Sequence, residues 1–260
     1  KKLILLAGPT ASGKSNLAIK LAEKINGEII NADSMQVFKE FSVLSSRPNS
    51  AQTSKIQHHL YGTISVKKHF SAGDWLKQVK QKINICKKKK KIPIIVGGTG
   101  LYFNIITKGI SKIPDIDIKT RNKVRNSFKK LGYKKFYNQL LKLDPKVKGR
   151  ILPTDSQRLQ RAYEVKLSTK KSLYDWFVKT KPDFSDFEIK KIFIDIPREV
   201  LLKNISLRTE EMFKKKCINE VKRFNALKIN KTLSANKLIG VKEINDFLSK
   251  SISLEQCKEL

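Results

Sequence analysis

Apolar residues along this chain come in short blocks, and helical stripes separate the blocks. Residues 3–7 (LILLA) form a fully buried strand pattern, followed by a glycine-rich turn. Leu17, Ala18, Leu21, Ala22 and Ile25 then recur at helical spacing. Glu28–Ala32 (EIINA) is a second short strand, ending at Asp33, and a helix is expected around Trp75–Cys86. Ile92–Val96 (IPIIV) is a third strand, running into Gly97-Gly98-Thr99-Gly100, and Ile192–Ile196 (IFIDI) is a fourth. Short apolar strands alternating with helices predict an α/β core with a mainly parallel sheet. From Lys112 to Lys190 strand signals are lacking and the pattern is helical and charged, so this stretch is expected to be a helical insertion. The expected organisation is a first core segment at 1–111, a basic insertion at 112–190, and a second core segment at 191–260.

Composition changes this picture only in part. The chain has 260 residues, 40% of them hydrophobic, enough for a real core. Lys and Arg number 55 against 23 Asp and Glu, a formal net charge of +32, which favours nucleic acid, anionic membranes or phosphorylated ligands. Only nine of the basic residues are arginine, and a lysine-heavy composition also arises from AT-rich coding sequence. Location is therefore more informative than the total. Lys119 to Arg150 carries twelve basic residues and a single acid, Asp144. The run Lys87–Lys91 reads as a solvated helix end, where cations are favoured.

Cys86, Cys217 and Cys257 form no CxxC and no Cys/His spacing, which argues against a disulfide scaffold or structural zinc and for a reducing cytoplasm. His58, His59 and His69 read as packing or turn residues. No apolar run approaches the ~20 residues that span a bilayer, so no membrane partner is expected. The five-residue apolar start runs directly into a glycine loop and is a strand, not an export signal. The absence of an initiator Met points to a sequence incomplete at its N-terminus.

One motif carries chemistry on its own. Gly8-Pro9-Thr10-Ala11-Ser12-Gly13-Lys14-Ser15 fits G-x-x-x-x-G-K-[ST], after a buried strand and before a helix. Its backbone N–H groups can converge on phosphate oxygens at a helix N-terminus. Lys14 adds a point charge, and Ser15 is placed to ligate Mg²⁺. Whose phosphates the loop holds is open at this point. A hydrolytic NTPase would place a second strand-end Asp on the metal, but the third strand ends in glycines. Asp33 is the strand-end carboxylate that remains near the loop. It fits a metal ligand, a general base, or the N-cap of a short helix at Ser34–Phe38. Thr99 is a helix N-cap or turn residue, or an active-site hydrogen-bond donor if the crevice lies there. A small-molecule or nucleotide kinase and a non-catalytic RNA-binding P-loop protein both use such parts.

A series of ordered segments extends the match: GPTASGKS at 8–15, NADSMQVFKE at 31–40, RP at 47–48, HHLYG at 58–62, VGGTGLYF at 96–103 and DSQRLQRAYEV at 155–165. Together these resemble the tRNA dimethylallyltransferases (tRNA isopentenyltransferases), over essentially the whole chain. The resemblance implies a P-loop α/β core with a helical insertion. It also implies transfer of a dimethylallyl group from dimethylallyl diphosphate to N6 of the adenine 3′-adjacent to the anticodon of tRNA, with release of diphosphate. The phosphate loop would then hold a prenyl diphosphate, and no attacking water would need a second carboxylate.

By this resemblance Asp33 is the general base, Thr99 lies in the substrate channel, and Arg208 joins Lys14 and Ser15 with Mg²⁺ in stabilising diphosphate. Asp33, Ser34, Met35 and Gln36, together with Gln157, Arg158, Leu159, Gln160 and Arg161, resemble segments that contact the tRNA anticodon stem-loop. Thr99 and Arg121 match further contact positions. Thr154, Gln157, Arg158 and Arg161 share one helical face, while Leu159, Ala162 and Tyr163 take another; Thr154 and Gln157 also fit a capping box. Leu44 stands where the family usually has glycine and Phe38 where tyrosine is common. A basic C-terminal helix of the family would follow residue 260, and the eukaryotic zinc finger has no counterpart here. A monomer is expected.

Overall fold

In a computed structural model, residues 1–178 and 180–260 are described. The chain falls into two compact units. One combines Lys1–Ile106 with Phe184–Leu260, and the other is Thr107–Asp183.

The first unit is built on five parallel strands in the order β3-β2-β4-β1-β5. They are β1 (Lys2–Ala7), β2 (Gly27–Asn31), β3 (His58–His59), β4 (Ile92–Gly97) and β5 (Glu188–Phe193). Successive side chains of a strand face opposite sides of the sheet. Ile4, Leu6, Ile29, Ile94 and Val96 pack on one face against Ala18, Ile19 and Ala22 of helix α1 (Lys14–Ile25). The buried stripe of α1 is therefore Ala18, Ile19 and Ala22, and the Leu17 expected there is exposed. Helix α2 (Ser50–Lys55) is a short surface turn of helix, and α3 (Ala72–Lys88) buries Trp75, Leu76, Val79, Ile83 and Cys86. A Ser71–Asp74 capping box starts α3, and Lys87 and Lys88 occupy its last turn, as the lysine run predicts.

Two strands depart from expectation. β3 has only two residues, too few to give a periodic signal. β5 begins four residues before the apolar run at 192–196 and extends into the stretch read as helical. It is an edge strand with most of its residues exposed, so an apolar block was the wrong guide to its position. Helix α4 (Gly100–Lys108) follows β4.

The second core of this unit joins Phe41 and Leu44 to residues of α9 (Cys217–Ala226), α10 (Val241–Leu248) and α11 (Leu254–Glu259). Phe41 and Phe224 meet with ring centroids 4.7 Å apart. The leucine at 44 has room because Gly240 faces it: a Cβ on Gly240 would lie 2.9 Å from Leu44 Cδ2. Helix α8 (Arg198–Lys214) precedes α9 and buries none of its residues fully.

The helical unit contains α5 (Ile118–Leu143), bent at Gly132, then α6 (Ser156–Thr169) and α7 (Leu173–Val178). Phe136, Leu140, Leu159, Ala162 and Val165 form its core. Asp155, not Thr154, caps α6, accepting the Arg158 N–H at 3.0 Å. The capping box read one residue earlier is replaced because the aspartate carboxylate is the better-placed acceptor.

Candidate active site

The carboxyl ends of β1, β2 and β4 define the site, as in open α/β sheets generally. Gly13 adopts φ 80° at the N-cap of α1, a left-handed conformation that suits glycine, and so turns the loop into the helix. Lys14 Nζ folds back onto the Pro9 carbonyl at 2.7 Å. The Ser12 hydroxyl is buried without a hydrogen-bond partner, an acceptor-seeking group inside the loop. From the opposite side α8 holds the loop. Arg208 Nη1 donates to Thr10 Oγ1 at 3.1 Å, and Asn204 Nδ2 donates to the Ala11 carbonyl at 3.2 Å.

Asp33 lies two residues past the end of β2. Its Oδ1 accepts the N–H groups of Met35 at 2.8 Å and Gln36 at 3.3 Å. These bonds close a turn and not the short helix expected at Ser34–Phe38, because the chain leaves as a bend and then bridges Phe38 to Ile64. Thr99 Oγ1 accepts the Ser34 N–H at 3.0 Å. Gly97 permits this approach, since a Cβ there would lie 2.2 Å from the Ala32 carbonyl oxygen. Thr99 is thereby joined to the Asp33 turn.

The charges of this site interact. Burial pushes the Lys14 ammonium below its usual value; Asp33 opposes that effect and Arg208 adds to it. Burial also lowers Arg208, with Asp33 again opposing. The phenols of Tyr61 and Tyr102 are raised, first by burial and then by the negative charge of Asp33. Two cavities share Lys14, Arg208 and Met212. One, of about 790 Å³, is lined by residues 11–16 of the loop together with Arg47, Tyr61 and Lys215. The other, of about 520 Å³, is lined by Gly8–Thr10, Asp33–Met35, Thr99 and apolar residues that include Phe213, Leu238 and Ile244. The structure therefore brings together Gly8–Ser15, Asp33, Thr99 and Arg208. Hard oxygen donors, the Ser15 hydroxyl and the Asp33 carboxylate, are of the type that Mg²⁺ takes alongside phosphate oxygens.

In the helical unit a second constellation forms. Burial raises Glu164, which is 7% exposed, while Arg161, Arg121 and Arg125 pull it back. Arg161 lies 3.9 Å from Glu164, and the Arg121 Nε is buried without a hydrogen-bond partner. Arginines of α5 and α6 thus converge around one carboxylate. Gln157 and Arg158 are exposed, with Arg158 Nε 3.3 Å from Asp155. Leu159 is fully buried, so its side chain packs the unit's core and leaves surface contact to its neighbours. Gln160 is held by its bond to the Ser156 carbonyl at 3.1 Å.

Residues 36–260 match the family model described as IPP transferase. The chain is 53% identical over 259 residues to the tRNA dimethylallyltransferase of Pelagibacter ubique (strain HTCC1062), covering all of this chain and 83% of that protein. It is 39% identical over 257 residues to the tRNA dimethylallyltransferase of Rickettsia felis, covering 98% and 83%. This chain belongs to the IPP transferase family. Among solved structures, a eukaryotic dimethylallyltransferase acting on tRNA superposes with a TM-score of 0.86 at 27% identity, over all of this chain and 65% of that one. The full-length tRNA isopentenylpyrophosphate transferase of Bacillus halodurans gives 0.67 at 27% identity, over 99% and 80%. None of these relatives is a kinase.

Within this IPP transferase, several residues of the site went unnoticed in the sequence. Asn204 braces the phosphate loop, and no motif marks it. The Glu220 carboxylate, 1% exposed, accepts the N–H groups of Ser42 at 2.6 Å, Val43 at 2.9 Å and Leu44 at 2.9 Å, and so shapes the loop that lines the larger cavity. A buried-looking acid on an amphipathic helix was the available signal. Gln36 donates to the carbonyls of Ser45 and Ser46, which ties the same loop to the Asp33 turn. Among the described residues no helix is long and apolar enough to cross a membrane.

Proposed function

We propose that this chain transfers a dimethylallyl group from dimethylallyl diphosphate to N6 of the adenine 3′-adjacent to the anticodon of tRNA. The observation that carries the reading is that Lys14, Asp33 and Arg208 line one cavity with Gly8–Thr10 of the phosphate loop. A base and a diphosphate cradle in one crevice are what this displacement needs. The loop N–H groups, Lys14 and Arg208 hold the diphosphate and take up its charge as the carbon–oxygen bond breaks. Asp33 accepts the proton from the adenine amine as nitrogen bonds to the departing allylic carbon. When bound, Mg²⁺ would neutralise the leaving diphosphate, and Ser15 would hold it. Thr99, through Ser34, fixes the turn that carries the base. The apolar wall of the smaller cavity suits the hydrocarbon part of the donor.

The helical unit supplies RNA affinity in this reading. Arg121, Gln157, Arg158 and Arg161 offer phosphate and base contacts, and the adenine must leave its stack to reach Asp33. Both cavities are lined by one unit of one chain, so the proposal needs no second copy. The test is incubation with dimethylallyl diphosphate, Mg²⁺ and tRNA, followed by mass analysis of the nucleosides. Prenylated adenosine at the position after the anticodon is expected. Unmodified tRNA accompanied by ATP turnover would favour the kinase alternative instead.

A further inference from the structure

Asn31 ends β2 and is wholly buried, and its side-chain amide is spent mainly on the Asp33 turn. Its Oδ1 accepts the Asp33 N–H at 2.8 Å, and its Nδ2 donates to the Asp33 carbonyl at 3.0 Å. The second Nδ2 proton goes to the Leu60 carbonyl at 3.1 Å, just past β3. Both donors of the amide and its acceptor are therefore engaged. The Asn31 backbone is anchored in turn. Its carbonyl accepts the indole N–H of Trp75 at 2.9 Å, and Trp75 stacks on Tyr102 with ring centroids 3.9 Å apart and planes 8° from parallel.

One short planar side chain thus grips the peptide groups on both sides of the Asp33 Cα. The carboxylate is fixed from the other direction, since Oδ1 is taken by the Met35 and Gln36 N–H groups. Oδ2 has no part in these bonds, and Asp33 lines the smaller cavity. A clamp of this kind needs a donor and an acceptor at a fixed separation. An aspartate at 31 would offer acceptors only and bury a second charge; an alanine would leave two carbonyls and an N–H unpaired.

We propose that Asn31 is a positioning residue for the reaction: by holding both peptide groups of Asp33 it aims Oδ2 into the cavity toward the adenine amine. The inference rests on the reading of Asp33 as the base. Displacing a base by an ångström costs on the order of 100-fold in rate without altering what binds. Loss of the clamp therefore acts on kcat and leaves KM for both substrates nearly unchanged.

The experiment compares wild type, N31A, N31S, N31D and D33N in dimethylallyl transfer to tRNA, with rates expressed per folded molecule and tRNA affinity measured by filter binding. N31A is expected to lower kcat by roughly 10- to 100-fold with both KM values and the tRNA Kd within about threefold. N31S keeps a hydroxyl acceptor for the Asp33 N–H and is expected to recover most of the rate. N31D preserves size and acceptor but loses both donors, so it carries the same expectation as N31A should the alanine variant not fold. Wild-type kcat per folded molecule in N31A or N31D, or a fall in N31S as deep as that in N31A, would overturn the proposal. D33N tests the underlying reading separately: near-wild-type rates in that variant would remove the base, whatever the Asn31 variants do.

Discussion

Lys14 is the residue on which both halves of the site depend. Its ammonium donates to the Pro9 carbonyl at 2.7 Å and is lowered by burial, with the Asp33 charge opposing that effect. A diphosphate offers charged oxygens in place of one neutral carbonyl, and these interactions strengthen as the departing diphosphate gains a further negative charge on C–O cleavage. Lys14→Met is expected to cut kcat/KM for dimethylallyl diphosphate by at least about 100-fold, measured as initial transfer rates at limiting donor. Asp33→Ala is expected to abolish transfer while tRNA affinity stays within about threefold, because one carboxylate adds little to an RNA interface dominated by phosphate contacts. An equal loss of tRNA binding would make Asp33 a structural residue. At this scale the chemistry was legible wherever it is contiguous in the chain. Gly8–Ser15 is one loop, and Asp33 and Thr99 each sit at the end of a recognisable strand. Asn31 was not legible, because its role depends on a hydrogen bond geometry that no periodicity encodes. Asn204 was hidden for a different reason: it reaches the loop across 193 residues of sequence.

Between elements, one buried cluster binds β2, β3 and α3. Glu28 Oε2 meets His59 Nε2 at 2.7 Å and Cys86 Sγ at 3.5 Å, and Lys89 Nζ closes on Oε1 at 3.4 Å. Burial works to raise the Glu28 carboxyl, but the His59 and Cys86 hydrogen bonds and the His59 and Lys89 charges overcome it, leaving the group below the usual 4.5. The same surroundings push the Cys86 thiol up to about 12, so it stays protonated and donates. A carboxylate depressed by folding contributes stability above its unfolded value, and that contribution is lost as pH falls through the folded value. Glu28→Gln is therefore expected to cost about 1–3 kcal/mol near pH 7 by urea denaturation, with the gap from wild type narrowing as pH drops below about 4.5. A gap that is constant or widens on acidification would contradict the assignment. None of these residues signalled the others in the sequence, and β3, only two residues long, gave no pattern to suggest that His59 lies beside Glu28. α1 shows the smaller error: Ala18, Leu21, Ala22 and Ile25 pack against the sheet as expected, and only Leu17 of that set faces solvent.

Across the whole chain the charge of +32 sets the problem, and its distribution answers it. Lys87–Lys91 lies at the end of α3 and immediately before β4, so it sits at the amino end of a strand whose carboxyl end opens onto the site. Six residues of strand place it about 20 Å from that crevice, roughly two Debye lengths at physiological salt. The arginines of α5 and α6 are different. Arg161 is lowered by burial beside Glu164, and Arg121 buries its Nε without a hydrogen-bond partner, so a phosphate would find donors there that water serves poorly. If total charge governed tRNA binding, neutralising either group would weaken it alike. If location governs it, the two must separate. The variant K87Q/K88Q/K90Q, which spares the Lys89 partner of Glu28 and the Lys91 partner of Asn26, is expected to keep tRNA Kd within about twofold and the slope of log Kd against log salt unchanged. R158A/R161A, removing fewer charges, is expected to weaken binding by at least about tenfold and to reduce that slope by one to two units. Filter binding across a salt series measures both quantities. Equal slopes for the two variants would mean that the lysine excess, and not the arginine cluster of the helical unit, holds the RNA.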